Sequence, residues 1–228
     1  WWNFAVRFKE YDLIMDEDIS IINTNTRNER IKNFFIINKN KLIFILLFII
    51  LGLVGFFGYE EFNKRKHISI SDEYNSIILK FDENNKETSI SKLVNLINKK
   101  DPTYSPLSLY FIIDNKLIQN KDEINKLFNI LIEKTSLEKE IKNLVILKKA
   151  FLNADHYEEV EMLSLLNPII NSESVWKSHA LNLMAEFFYF KSQKQKAKEF
   201  FNQIISLEES NPDIKKQAQK RLLRDLSE

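Results

Sequence analysis

The sequence predicts an all-α chain in which one helix crosses a membrane, and three observations carry that reading. Residues Leu42 to Tyr59, LIFILLFIILGLVGFFGY, form an unbroken apolar run without a charge. All three glycines, Gly52, Gly55 and Gly58, fall inside that run. Beyond it, apolar residues recur at three- and four-residue intervals, the period of a helix and not of a strand.

The apolar run comes first along the chain. At a rise of 1.5 Å per residue it extends about 27 Å, close to the hydrocarbon thickness of a bilayer. Lys39 and Lys41 close it on one side, and Glu60, Glu61 and Lys64-Arg65-Lys66 on the other. A secretory signal would need a small-residue cleavage site, and Phe56-Phe57-Gly58-Tyr59-Glu60 offers none. Residues 41–59 are therefore expected to be an uncleaved single-pass anchor, between a tail of residues 1–40 and a hydrophilic domain of residues 60–228. Arg27, Arg30, Lys32, Lys39 and Lys41 outnumber Lys64, Arg65 and Lys66. The positive-inside rule then expects a cytoplasmic tail and a domain on the far side. The chain opens Trp1-Trp2, and its first methionine is Met15; residues 1–14 are expected to be either a translated upstream stretch that is not native or the start of a fragment. The glycines are spaced by three, not the four of the helix-packing G-x-x-x-G motif, and read as ordinary membrane-helix glycines.

Composition narrows what the domain can be. Without glycine it has none of the backbone turns of the P-loop, the dinucleotide fold or the G-x-S-x-G elbow. From Glu60 to Glu228 there are 26 basic and 26 acidic residues. A nucleic-acid binder would show a basic surplus, so none is expected as partner. Lys outnumbers Arg 27 to 6 and Asn is abundant, a codon bias that takes functional weight away from lysine and asparagine runs.

The helices follow from period and punctuation. Tyr74, Ile77, Ile78 and Phe81 make one stripe, and Ile90, Leu93, Val94 and Ile97 the next. A break at Asp101–Pro106 supplies Ser105 as N-cap and Pro106 as first helical residue of a helix carrying Leu109, Tyr110 and Ile113. Ile124, Leu127, Phe128 and Leu131 follow, then Ile141, Leu144, Val145, Lys148 and Phe151. A helix from Tyr157 to Leu166 is expected to end at Asn167-Pro168. Trp176, Ala180, Leu183, Met184, Phe187 and Phe188 form the next stripe, and Ala197, Phe200, Phe201, Ile204 and Ile205 its partner. After Asn211-Pro212 come Ile214, Ala218, Leu222 and Leu226.

The penultimate pair resembles a tetratricopeptide repeat, W-x2-L-G-x2-Y…A-x3-F…P. Leu181 stands at the Trp, Met184 at the Leu, Ala185 at the small residue and Phe188 at the Tyr. Ala197 and Phe201 match the second-helix A-x3-F. Pro212 lies about three residues late and the turn lacks glycine, so the repeat is degenerate. A weaker copy precedes it, with Leu144, Leu147, Phe151 and Val160 in corresponding places. An anchor followed by such a domain resembles the ancillary Sec translocon subunits of bacterial inner membranes. The resemblance implies a periplasmic, degenerate tetratricopeptide-like domain that interacts with translocon components, a membrane-anchored chaperone or nascent secretory chains. In such a repeat the first helix lines the ligand groove, which here implies His179, Asn182, Glu186, Tyr189 and Phe190. Burial of Tyr189 and Phe190 in the helix stack is the competing reading.

Catalysis finds little support. His67, His156 and His179 lack metal-ligand spacing and have no cysteine to join them. His67, beside Arg65 and Lys66, reads as a headgroup-level residue. Asp155-His156 and Ser178-His179 are sequence neighbours, which do not face each other on a helix. No catalytic residue, metal or cofactor is expected, and the chain reads as an interaction protein, not an enzyme. The alternative is a scaffold for envelope assembly or division through self-association as a homo-oligomer.

Overall fold

Residues 26–226, the part that a computed structural model describes, contain helices and no strand. The expectation about residues 1–14 lies outside the described residues. Residues 26–37 form α1, followed by α2 (Lys39–Leu79), a 3₁₀ turn (Glu83–Asn85), α3 (Lys86–Asn98), α4 (Tyr104–Asp114) and α5 (Lys121–Lys134). The chain continues through α6 (Lys139–Asn153), α7 (Glu159–Ile170), α8 (Lys177–Phe190), α9 (Lys194–Ser206) and α10 (Pro212–Arg224). It divides between Arg65 and Lys66 into two compact units. In the first unit, α2 carries the apolar run, none of it buried, and is long and apolar enough to cross a membrane.

The second unit packs around two apolar clusters. One joins Ile70 and Ile77 of α2 to Leu93, Leu96, Leu109, Phe128 and Leu131. The other joins Met162, Leu166, Met184, Phe188, Phe201 and Ala218 of the later helices. Ile132 packs against both. From α3 to α10 consecutive helices are linked by short turns and pack as neighbours. Three turn residues adopt positive φ, namely Lys100 (56°), Lys116 (50°) and Ser192 (60°). These are left-handed positions that usually go to glycine or asparagine, so the turns are made without either.

Spacing within the later helices is regular. Ala150 and Met162 are twelve residues apart, as are Ala185 and Ala197, and all four are fully buried. Ile146, Leu166 and Ile169 stand thirty-five residues before Leu181, Phe201 and Ile204, and all six are buried.

Three sequence expectations need correction. First, α4 starts at Tyr104, with Ser105 and Pro106 buried in its first turn. The N-cap position is Thr103, whose side chain makes no cap bond; Asp101 Oδ1, from the preceding turn, accepts from the Thr103 and Tyr104 amides at 2.9 and 2.8 Å. Ser105 Oγ instead donates to the Leu96 carbonyl at 2.8 Å. Second, α7 runs through Pro168 to Ile170. Proline there removes one helical donor near the end, while Leu166, Ile169 and Ile170 remain buried. Third, α6 buries Asn143, Val145, Ile146 and Ala150, leaving Phe151 73% exposed. Val160 is 77% exposed, so two of the four positions of the weaker repeat copy stand on the surface, while Leu144 and Leu147 are half-buried.

His67, expected at headgroup level, has partners within the fold. Its Nδ1 lies 2.8 Å from Asp101 Oδ2, and its ring packs beside Tyr104. Burial pushes the Asp101 carboxyl up. Hydrogen bonds from the Tyr104 amide, the His67 ring and the Thr103 amide outweigh it and hold the carboxyl below its ordinary value. A carboxyl depressed on folding adds stability above its unfolded value, near pH 3.9, that is lost as the pH falls through the folded value. Asp101→Asn should therefore destabilise the protein at neutral pH, and the gap to wild type should close below about pH 4 in urea unfolding. At the α8–α9 crossing, Ala197→Leu should overpack and cost about 1–3 kcal/mol. Phe201→Ala should leave a cavity and cost about 3–5 kcal/mol in the same measurement.

Candidate functional site

Alternate helices of the second unit, α4, α6, α8 and α10, share one side and line a groove of about 1260 Å³. No residue of α5, α7 or α9 reaches it. This layering follows from the hairpins: when helix pairs stack, the first helix of each pair falls on one side and the second on the other. On α8 the periodicity divides the side chains. His179, Asn182, Leu183, Glu186 and Phe190 follow three- and four-residue steps into the groove. Leu181, Met184, Ala185 and Phe188 are buried, as are Ala197 and Phe201 on α9.

Four of the five residues expected in the groove line it, namely His179, Asn182, Glu186 and Phe190. Tyr189 does not. It is half-buried, and its ring lies beneath the Arg221 guanidinium at 4.6 Å. Phe190 is 80% exposed at the lip, and Phe151 stands exposed on α6. The run Phe187 to Phe190 therefore resolves into two buried rings, one covered ring and one open ring.

Sequence reasoning missed the contributions of α6 and α10. Leu144, Leu147, Lys148 and Phe151 line the groove from α6, and Ile214, Gln217 and Arg221 from α10. The signal on α6 was Lys148, a cation within a stripe read as core. Its ammonium lies 4.7 Å above the Tyr110 ring.

Most groove charges are matched inside the fold. Arg221 donates from Nε to Glu186 Oε1 at 2.9 Å, from Nη2 to Glu186 Oε2, and from Nη1 to Asp225 Oδ2 at 2.7 Å. Hydrogen bonds from Arg224 and Arg221 hold the Asp225 carboxyl well below the usual carboxylate range. Asp155 lies 3.2 Å from the Lys121 ammonium, whose hydrogen bond lowers its carboxyl. Among the described residues four side-chain atoms are buried with no hydrogen-bond partner, Tyr110 Oη and Ser210 Oγ elsewhere and Asn182 Oδ1 and His179 Nδ1 here. Burial also pushes the His179 imidazole down, favouring its neutral form. Unmatched buried polar atoms are uncommon, and those of Asn182 and His179 stand on residues of the groove wall.

Reactive constellations are sparse. His156 Nε2 is 4.0 Å from Asp155 Oδ2, but both groups are exposed and the carboxylate is also held by Lys121. Among the described residues, no three His, Asp or Glu side chains gather as a metal would need. No protein-family model matches the chain, and no curated protein or solved structure is significantly similar to it.

The unequal burial of Tyr189 and Phe190 separates their substitutions. Tyr189→Ala should cost about 1–3 kcal/mol, because it uncovers Arg221 and the helix stack beneath. Phe190→Ala should stay within about 0.5 kcal/mol of wild type. Thermal melts of the two variants check both.

Proposed function

We propose that the chain is a membrane-anchored protein-interaction module whose groove holds apolar polypeptide segments, acting as a chaperone-like accessory at the Sec protein-export machinery. The apolar groove across α4, α6, α8 and α10 carries this reading. Leu, Ile and Phe side chains, with Phe151 and Phe190 exposed, make up about half of its lining residues, and polar and charged side chains such as Lys148, Asn182, Glu186 and Arg221 stand among them. Unfilled apolar surface of this extent on a soluble domain is characteristic of a binding site.

The helix pairs α6–α7 and α8–α9 read as two degenerate tetratricopeptide-like units. The twelve-residue interval between their buried pairs and the thirty-five-residue offset between units support this, beside the motif's 34-residue period. In this register Ile146, Ala150, Met162 and Leu166 answer to Leu181, Ala185, Ala197 and Phe201. The candidate span in α2 supports anchoring at a membrane. The excess of cations before it favours a cytoplasmic tail and a domain on the far side, which in the bacterial inner membrane that the resemblance implies is the periplasm.

Crosslinking of the full-length protein in mild detergent tests the role. Translocon components or nascent secretory chains should be recovered. The double variant Phe151→Ala with Phe190→Ala should lower recovery more than about tenfold while the domain melts as wild type, because exposed aromatic anchors dominate such interfaces. Undiminished recovery would remove the groove from the mechanism. Stable homo-oligomers without other partners would favour the envelope scaffold instead.

A further inference from the structure

Residues 26–37 read as part of a polar tail in the sequence, yet they form a helix that carries a second apolar surface. Ile31, Phe34 and Phe35 are spaced by three and four, share one face, and are 50%, 57% and 57% exposed. Glu29 and Asn33 lie on the opposite face, which Ile36 and Ile37, 62% and 80% exposed, turn apolar in the last turn before α2. Around them stand Arg27, Arg30, Lys32, Lys39 and Lys41, five cations against the single carboxylate of Glu29. The helix stops at Asn38, a turn residue whose amide donates to the Phe34 carbonyl at 3.0 Å and whose carbonyl accepts from the Leu42 amide at 2.9 Å, and α2 begins at Lys39.

We propose that α1 is an interfacial helix that seats Ile31, Phe34 and Phe35 at the boundary between headgroups and acyl chains while its cations hold anionic lipid headgroups. Two features select a lipid surface as the occupant. The face is continuous with the apolar run that begins at Leu42, so a bilayer entered there is already beside it. Its net charge is complementary to an anionic leaflet, whose potential draws basic segments next to a span. Aromatic and aliphatic residues on one face with basic residues around them are the features of helices that lie in the membrane plane. Arg27 stands one turn before Ile31 on the apolar side, and its long stem lets the guanidinium reach phosphates from there. The inference rests on the reading of α2 as a span.

The chain has no cysteine, so single cysteines introduced into the full-length protein can each carry a nitroxide label. The informative set is Glu29→Cys, Ile31→Cys, Asn33→Cys, Phe34→Cys and Phe35→Cys, with Leu47→Cys as the mid-span reference. Labelled protein is placed in phosphatidylcholine vesicles and in vesicles of equal parts phosphatidylcholine and phosphatidylglycerol. Oxygen, which partitions into lipid, should collide several-fold more often with the labels at positions 31, 34 and 35 than at 29 and 33. A water-soluble nickel complex should show the reverse. The contrast should be stronger with phosphatidylglycerol and should fade when Arg27→Gln, Arg30→Gln and Lys32→Gln are combined. Water contact all round the helix would overturn the proposal, and so would lipid contact all round, which would move the start of the span to Phe34. A contrast indifferent to lipid charge and to the three cations would overturn the anionic assignment. A Leu47 label in water would overturn the span itself and this inference with it.

Discussion

Close approach of α8 and α9 is the constraint on which the second unit depends. Ala185 and Ala197 are fully buried, and at their positions a larger side chain would force the helices apart. Phe188 stacks on Phe200 at 5.5 Å between ring centres, filling the space beside the contact. With these axes drawn together, Phe201 and Ile204 reach the interior and α10 can pack on both helices. The groove is a secondary result of the same packing. Its walls are alternate helices, and they stay on one side only while each hairpin keeps its tight crossing.

Polar contacts repeat at nearly the same interval as the packing. Lys121 pairs with Asp155, Ser174 Oγ donates to Glu140 and Arg221 binds Glu186, across sequence separations of 34, 34 and 35 residues. The Ser174 contact belongs to a small network that fixes the entry to α8. The Val175 amide and the Trp176 indole N–H also reach Glu140, at its carboxylate and its backbone carbonyl. Such contacts join points about one helix pair apart and would fix the register between neighbours, whereas apolar burial alone would tolerate sliding. At the other end of the unit, Asp101 plays an equivalent part by joining a helix cap, a turn and a side chain from α2.

Much of this was legible in the sequence because helices announce themselves by period. The glycine-free domain and the stripe Ile124-Leu127-Phe128-Leu131 needed only spacing and residue size, whereas Leu181 and Ala185 were placed by the resemblance to the repeat pattern. The α6 helix was less legible. Its apolar residues occupy two faces, and periodicity cannot tell which of Val145–Ile146 and Leu144–Phe151 faces the core. That choice depends on α7, whose own inner residues are Met162 and Leu166 and not Val160. Pro168 was read as a stop because local cost is visible in a sequence and burial by distant helices is not. The opposite fates of Tyr189 and Phe190 depend on Arg221, more than thirty residues away in the chain and one helix away in space. The membrane run was plain. The helix before it was hidden by its asparagines and charges.

The closed arrangement of Arg221 with Glu186 and Asp225 has a thermodynamic consequence. A groove whose fixed charges already satisfy one another offers an entering chain mainly hydrocarbon and a few polar atoms. Association there would be accompanied by a negative heat-capacity change, the mark of apolar surface leaving water. It would respond weakly to ionic strength, since few unpaired charges remain to be screened. The hydrophobic share of the affinity would weaken on cooling.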